Sequence, residues 1–193
     1  MKKTRLEFDE ESHRYRFGAR VVPSVTQVLE RAGLVDAQLV TRDALARGSA
    51  VHAEIARLIV DGTGEPSAYA VQAMRFCEDL DVRIIATEEM VFHPLAWYAG
   101  RIDLVCKING RVWLIDWKLN TIYKTVGPQL AAYKEAWNLG RKKNRIEKVG
   151  AVRLTERAYQ FVDSQSSLWQ TDVRADLDVF LKATRAGVNK NGK

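Results

Sequence analysis

Asp103, Asp116 and Lys118 interrupt the largely apolar strands of RIDLVCKINGRVWLIDWKLN at residues 101–120, alongside Arg101, Lys107 and Arg111. Asn109-Gly110 between its two apolar runs predicts a β-hairpin closed by a two-residue type I′ turn. Such a turn sets the register: Ile108 pairs with Arg111, Val105 with Leu114, Asp103 with Asp116, and Arg101 with Lys118. Side chains alternate along a strand, so the last three pairs share one face, and Ile102, Leu104, Ile115 and Trp117 take the other. Two carboxylates are then set opposite each other with Cβ atoms roughly 4.5–5.5 Å apart, a destabilising arrangement of like charges. A bound cation would relieve it. Mg²⁺ takes hard oxygen ligands, often one or two carboxylates, with phosphate and water completing the shell. Lys118, on the same face, could touch a phosphate but cannot ligate a metal while charged. The plain alternative is a solvent-facing hairpin carrying exposed Asp–Lys pairs.

The elements that must position these residues are readable from local signals. YRFGARVV suggests a short hairpin at residues 15–22. PSVTQVLERAG reads as a helix with a Ser24–Gln27 capping box and Gly33 as its C′ residue. A second helix is expected over Ala37–Val60, and a third from Pro66, as N1, to about Leu80. VRIIATEEMVF and WYAGRIDLVCKI read as strands separated by a loop near His93-Pro94, and RVWLIDWKL as a third. A helix should follow with Pro128 at N1 and end near Leu139. KVGAVRLT and AYQFVD read as two more strands. A last helix is expected over Leu168–Arg185, capped by Ser167 and Gln170, with an apolar stripe of Val173, Leu177, Phe180 and Leu181. The tail GVNKNGK is expected to be loose. This order predicts an α/β domain with a mixed central sheet flanked by helices. A single domain over 1–193 is expected, with a mainly helical part at 1–80, the sheet and one helix at 83–163, and a C-terminal helix at 167–185.

Further polar residues could join the hairpin pair. Glu88 lies on the strand before the hairpin and approaches the carboxylates if that strand runs antiparallel; Glu89 then points to the opposite face. Gln129 and Tyr133, four apart on a helix, share a face and could hold a DNA strand, or Tyr133 could be core with Gln129 beside it. His52 falls in line with Leu45, Gly48, Ile55 and Ile59. It is either a satisfied core histidine, or a neutral imidazole ligand or phosphate contact.

The segments GRIDLV, LIDWK and QLAAY together resemble the PD-(D/E)XK nuclease superfamily, in its RecB-like and phage exonuclease branch, over about residues 20–140. The upstream Glu corresponds to Glu88, the GxxD acid to Asp103, the (D/E)xK pair to Asp116 and Lys118, QxxxY to Gln129 and Tyr133, and the helix His to His52 in RGSAVHAEI. PSVTQVL also resembles phage members. The acid before the lysine is Asp116 where Glu is commoner. The resemblance implies a restriction-endonuclease-like core and a metal-dependent DNA nuclease, an exonuclease on ends or single strands in phage or bacterial recombination, repair or replication. Glu88, Asp103, Asp116, the Trp117 backbone carbonyl and His52 would hold one or two Mg²⁺ or Mn²⁺ ions. Lys118 would act on the nucleophile or the developing charge, and Gln129, Tyr133 and Arg101 would hold DNA. A structure-specific endonuclease, and a non-catalytic nucleic-acid-binding module on the same fold, remain the alternatives. A recombinase, helicase or single-strand-binding protein is an expected partner, since helicase motifs are absent.

Composition sets the outer bounds. The 193 residues carry a net charge of +6 and a pI near 9.4, which favours a polyanionic partner. The basic run RKKNRIEK at residues 141–148 is either a solvated loop or a phosphate contact. No apolar run approaches the roughly 20 residues of a membrane span, and the N-terminus lacks the apolar core of a signal peptide. Cys77 and Cys106 form no metal pattern; buried thiols and a cytoplasmic setting in a bacterial or phage-infected cell are expected. Two cysteines also exclude a four-cysteine iron–sulfur cluster within one chain. A small-molecule metalloenzyme fits least, for want of a cofactor loop.

Overall fold

The computed structural model describes residues 5–9, 12, 14–35, 42–164, 166, 169 and 172–189. Asn109 and Gly110 both adopt positive φ, 50° and 77°, as a type I′ turn requires. They join β5 (Tyr98–Ile108) to β6 (Arg111–Leu119). The two strands pair antiparallel from Ile108–Arg111 to Leu104–Ile115, in the expected register. The ladder stops one pair short of Asp103–Asp116. Beyond that point β6 keeps its parallel partner β7 (Lys148–Leu154), from Trp113–Lys148 to Leu119–Leu154.

β4 (Arg83–His93) lies antiparallel to β5, and β8 (Tyr159–Asp163) antiparallel to β7. The resulting five-stranded mixed sheet runs β4-β5-β6-β7-β8. Its two faces are both apolar, as expected for strands covered on each side. On one face, Val105, Leu114 and Val149 pack with α1 (Val25–Arg31), α4 (Val126–Asn138) and α5 (Val173–Asn189). On the other, Leu104, Ile115, Trp117 and Val152 pack with α2 (Arg42–Asp61) and α3 (Ala68–Asp79), centred on the fully buried Phe76. The architecture is thus mixed α/β, a sheet between helical layers. Among the described residues no helix is long and apolar enough to cross a membrane.

Several local expectations shift. The Ser24–Gln27 capping box forms, with both hydrogen bonds at 3.1 Å, and Gly33 takes φ 72° after the helix. Helix α3 begins at Ala68, two residues after Pro66. Ser67 caps it, and Glu54 holds that cap, accepting from the Ser67 N–H at 2.6 Å and hydroxyl at 2.7 Å. Pro128 is the third residue of α4, not the first; its missing N–H is still harmless, because first-turn N–H groups lack intrahelical partners. Helix α5 starts at Val173, where the Asp172 carboxylate accepts from the N–H groups of Arg174 and Ala175 at 2.8 and 2.9 Å. The caps expected at Ser167 and Gln170, the helix start at Leu168, and residues 37–41 of the second helix lie outside the described residues. Gly187–Asn189, expected to be loose, extend α5; the last four residues also lie outside.

The part before residue 80 is not only helical. β1 (Leu6–Asp9) was not expected; it joins β2 (Arg14–Phe17) and β3 (Arg20–Val22) in a three-stranded antiparallel sheet. Phe17 of this sheet stacks on Phe92, with ring centroids 4.8 Å apart. Cys106 is buried and Cys77 half-buried, both as free thiols, and burial pushes each up to about 12.

Candidate active site

Strands β5 and β6 part at Asp103. Its carboxylate Oδ2 accepts the Trp117 backbone N–H at 2.9 Å, in place of a strand carbonyl. On the other side of β5, the Asp103 carbonyl accepts the Thr87 hydroxyl at 2.9 Å. The β4–β5 ladder passes from Thr87–Leu104 to Glu89–Ile102 and skips the pair between them. There Glu88 sits at φ 51°. A left-handed non-glycine residue costs on the order of 1–3 kcal/mol and persists where its surroundings hold it. This irregularity corrects one expectation: Ile102 lies in the α4-side cluster with Val105, not on the face of Leu104.

The distortion gathers three ligand groups. His52 on α2 places Nδ1 3.2 Å from Asp103 Oδ1, with a quarter of its side chain exposed. It is therefore not a core histidine. One ligand atom each from His52, Glu88 and Asp103 lie within 4.8 Å of one another. Arg101 steadies Glu88 from behind, at 3.7 Å, with its guanidinium 4.8 Å from the Phe8 ring centroid. Arg101 pairs with Met90, not with Lys118, because the β5–β6 ladder has already ended.

Asp116 and Lys118 form a second group, against α4. Lys118 Nζ is 2.7 Å from Asp116 Oδ2 and 3.2 Å from Gln129 Oε1. Gln129 Nε2 lies 3.4 Å from both Asp116 Oδ1 and the Tyr133 hydroxyl. Asp116 is almost wholly buried, yet its Oδ2 has no well-directed hydrogen bond despite the nearby ammonium. Tyr133 is buried, and its ring occupies the space that a Cβ on Gly100 would need. Gln129 and Tyr133 thus act on the lysine–aspartate pair.

The charges are strongly coupled. Burial would raise the Asp103 carboxyl, but His52, Lys118 and the Trp117 N–H outweigh it and hold the acid below its ordinary range. Burial would lower His52, but Asp103 raises it to about 9. Asp116 moves up through burial, opposed by Lys118 and helped by the charge of Asp103. Lys118 resists burial because Asp116 and Asp103 raise it. Glu88 is raised by burial and by Asp103.

The candidates meet where β5 and β6 separate, midway along β4 and β5. Trp117 meets the site through its N–H. Its ring packs edge-on against Phe76 in the α3-side core, with centroids 5.7 Å apart. Sequence reasoning missed Thr87, which carries no signal, and the spatial role of Gly100, whose only signal is its place before Arg101 and Asp103.

No family model matches the chain, and no curated protein matches it. Among solved structures, the crystal structure of SSO0001 is similar at 14% identity, with a TM-score of 0.45, over 88% of this chain and 76% of that one.

Proposed function

We propose that the chain is a metal-dependent deoxyribonuclease with a restriction-endonuclease-like core, an exonuclease that hydrolyses phosphodiester bonds at DNA ends or in single strands. The observation that carries this reading is the convergence of His52, Glu88 and Asp103 beside the Lys118–Asp116 pair, at the point where two central strands separate.

The donor set fits a divalent cation. Two carboxylates and an imidazole suit Mn²⁺, and Mg²⁺ with more of its shell left to water and phosphate. Asp116 Oδ2, buried without a directed hydrogen bond, has a lone pair to offer the same ion or a second one. The Trp117 carbonyl is a further candidate ligand. When bound, the ion supplies Lewis acidity toward a phosphoryl oxygen and makes water a stronger nucleophile near neutral pH.

The protein groups supply the rest. Asp103, held ionised, is ready to ligate without first losing a proton. His52 must give up a proton held to about 9 before it can do so. Lys118, kept charged by its two aspartates, is placed to offset negative charge as it builds on the phosphoryl oxygens. Gln129 holds Lys118 and Asp116 in register, and Tyr133 fixes Gln129. The complete acid–acid–lysine set argues against a module that only binds.

The test is cleavage of end-labelled linear and of circular DNA, single- and double-stranded, with Mg²⁺, Mn²⁺ or EDTA. Metal-dependent loss of label is expected, with the circles resistant. Lys118→Ala should slow it by about 10²–10³-fold, the loss typical of removing one preorganised charge-stabilising group. Cut circles would point to an endonuclease. Unchanged cleavage by Asp103→Asn or by Lys118→Ala would overturn the assignment of the site.

A further inference from the structure

A cleft of about 440 Å³ opens beside the site, and His52, Lys118 and Gln129 form its inner end. Its volume falls within the roughly 300–1,000 Å³ of clefts that take one ligand of small-molecule size. That suits a nucleotide or two of an unpaired strand, not a duplex. Among the described residues, its lining carries Arg47 and Lys118 but no carboxylate. In a chain with 24 acidic residues, a cleft whose charged lining groups are all cationic is complementary to a polyanion, and Leu29, Val35 and Leu119 give it apolar surface beside them.

Two features of the outer cleft have no structural explanation. Tyr123 is 46% exposed, with no ring partner among the described residues. It stands on the segment between β6 and α4, where this cleft meets a second one of about 530 Å³ that also exposes Lys124. Gly48 lies inside α2, where a glycine costs about 0.5–1 kcal/mol relative to alanine. A Cβ there would meet nothing within 4 Å, so packing does not require the glycine. Its effect is to leave the cleft wide over the helix.

Resting on the nuclease reading above, we infer that this cleft selects an unpaired strand, with a base stacked on Tyr123 and a backbone phosphate held by Arg47. The aromatic face tolerates any base, because every base offers a π-face. Arg47 contributes charge without reading sequence. The strand enters beside Tyr123, crosses the Gly48 surface and delivers a phosphate to the Lys118 end. A duplex must open to follow that path.

The test is anisotropy of a short fluorescein-labelled oligothymidylate and of a blunt labelled duplex, in EDTA so that nothing is cut. The single strand should bind at least tenfold tighter. Tyr123→Ala should weaken it about tenfold, the scale of one base stack, while Tyr123→Phe should bind like wild type. Arg47→Ala should lower the salt slope by about one. Gly48→Leu, which has room to fold, should obstruct the single strand. Unchanged oligonucleotide binding in Tyr123→Ala and Arg47→Ala, or equal affinity for the duplex, would overturn the inference. If the wild type still cuts DNA in that case, the nuclease reading survives alone. If the wild type neither binds nor cuts DNA, that reading falls and this inference falls with it.

Discussion

At the scale of single residues, the site is a contest between burial and pairing. Asp103 wins its charge because His52 lies 3.2 Å away and the Trp117 N–H completes its shell. The same pair makes stability depend on pH. The folded His52 titrates at about 9, against an ordinary value of 6.5. The folded state therefore holds the extra proton between these values. The stabilisation is complete below about pH 6.5 and is lost as the pH rises through about 9. In EDTA, urea denaturation of the wild type should show falling stability across that window. His52→Gln should lack this component and be less stable at pH 6 by about 1.5–3 kcal/mol, the worth of a hydrogen bond to a charged group. A flat wild-type profile from pH 6 to 10 would mean that folding does not raise the His52 titration above its ordinary value. The sequence left His52 open between core and ligand, since it falls in line with Leu45, Gly48, Ile55 and Ile59 on one helical face. Only the position of α2 over Asp103, midway along β5, decides between them.

At the scale of elements, what was local was legible. The Asn109-Gly110 turn, the capping box at Ser24 and the alternation of β5 and β6 near the turn are each decided by a few adjacent residues, and each forms as expected. The separation of β5 from β6 is not local. It depends on β7 holding the far half of β6 in parallel and on Asp103 satisfying the Trp117 N–H. No residue pattern within the hairpin announces either. Asp103 and Asp116 were expected to face each other across a ladder; the pair is opened instead, and each acid acquires its own cation, His52 or Lys118. Gly100 shows how closely the elements fit. A methyl group there would run into the buried Tyr133 ring. Gly100→Ala should lower stability by about 1–3 kcal/mol, the usual range for overpacking. The shift should appear in the urea midpoint with an unchanged m-value. In a Tyr133→Ala background the same substitution should cost much less, because the contact is gone. Equal costs in both backgrounds would show that the ring is not what excludes the Cβ.

At the scale of the whole molecule, the site joins layers that the fold otherwise keeps apart. His52 comes from the helical layer that packs over Leu104 and Trp117, Glu88 and Asp103 from the sheet, and the Gln129 that steadies Lys118 and Asp116 from the opposite helical layer. An ion held by His52, Glu88 and Asp103 would tie α2 to the sheet. The free energy of binding then becomes free energy of folding, by about 2.7 kcal/mol at a concentration one hundred times Kd. For a chain of this size, 1 kcal/mol moves Tm by roughly 2–4 °C. Saturating Mn²⁺ should therefore raise Tm by several degrees, and Asp103→Asn should abolish the rise. Hydrogen exchange supplies the spatial half of the test. Protection should increase in α2 around His52 and in β4 around Glu88, while β8, on the far edge of the sheet, should not change. A rise in Tm that persists in Asp103→Asn would place the ion elsewhere; protection confined to β4 and β5 would place it on the carboxylates and leave His52 as a partner of Asp103 alone.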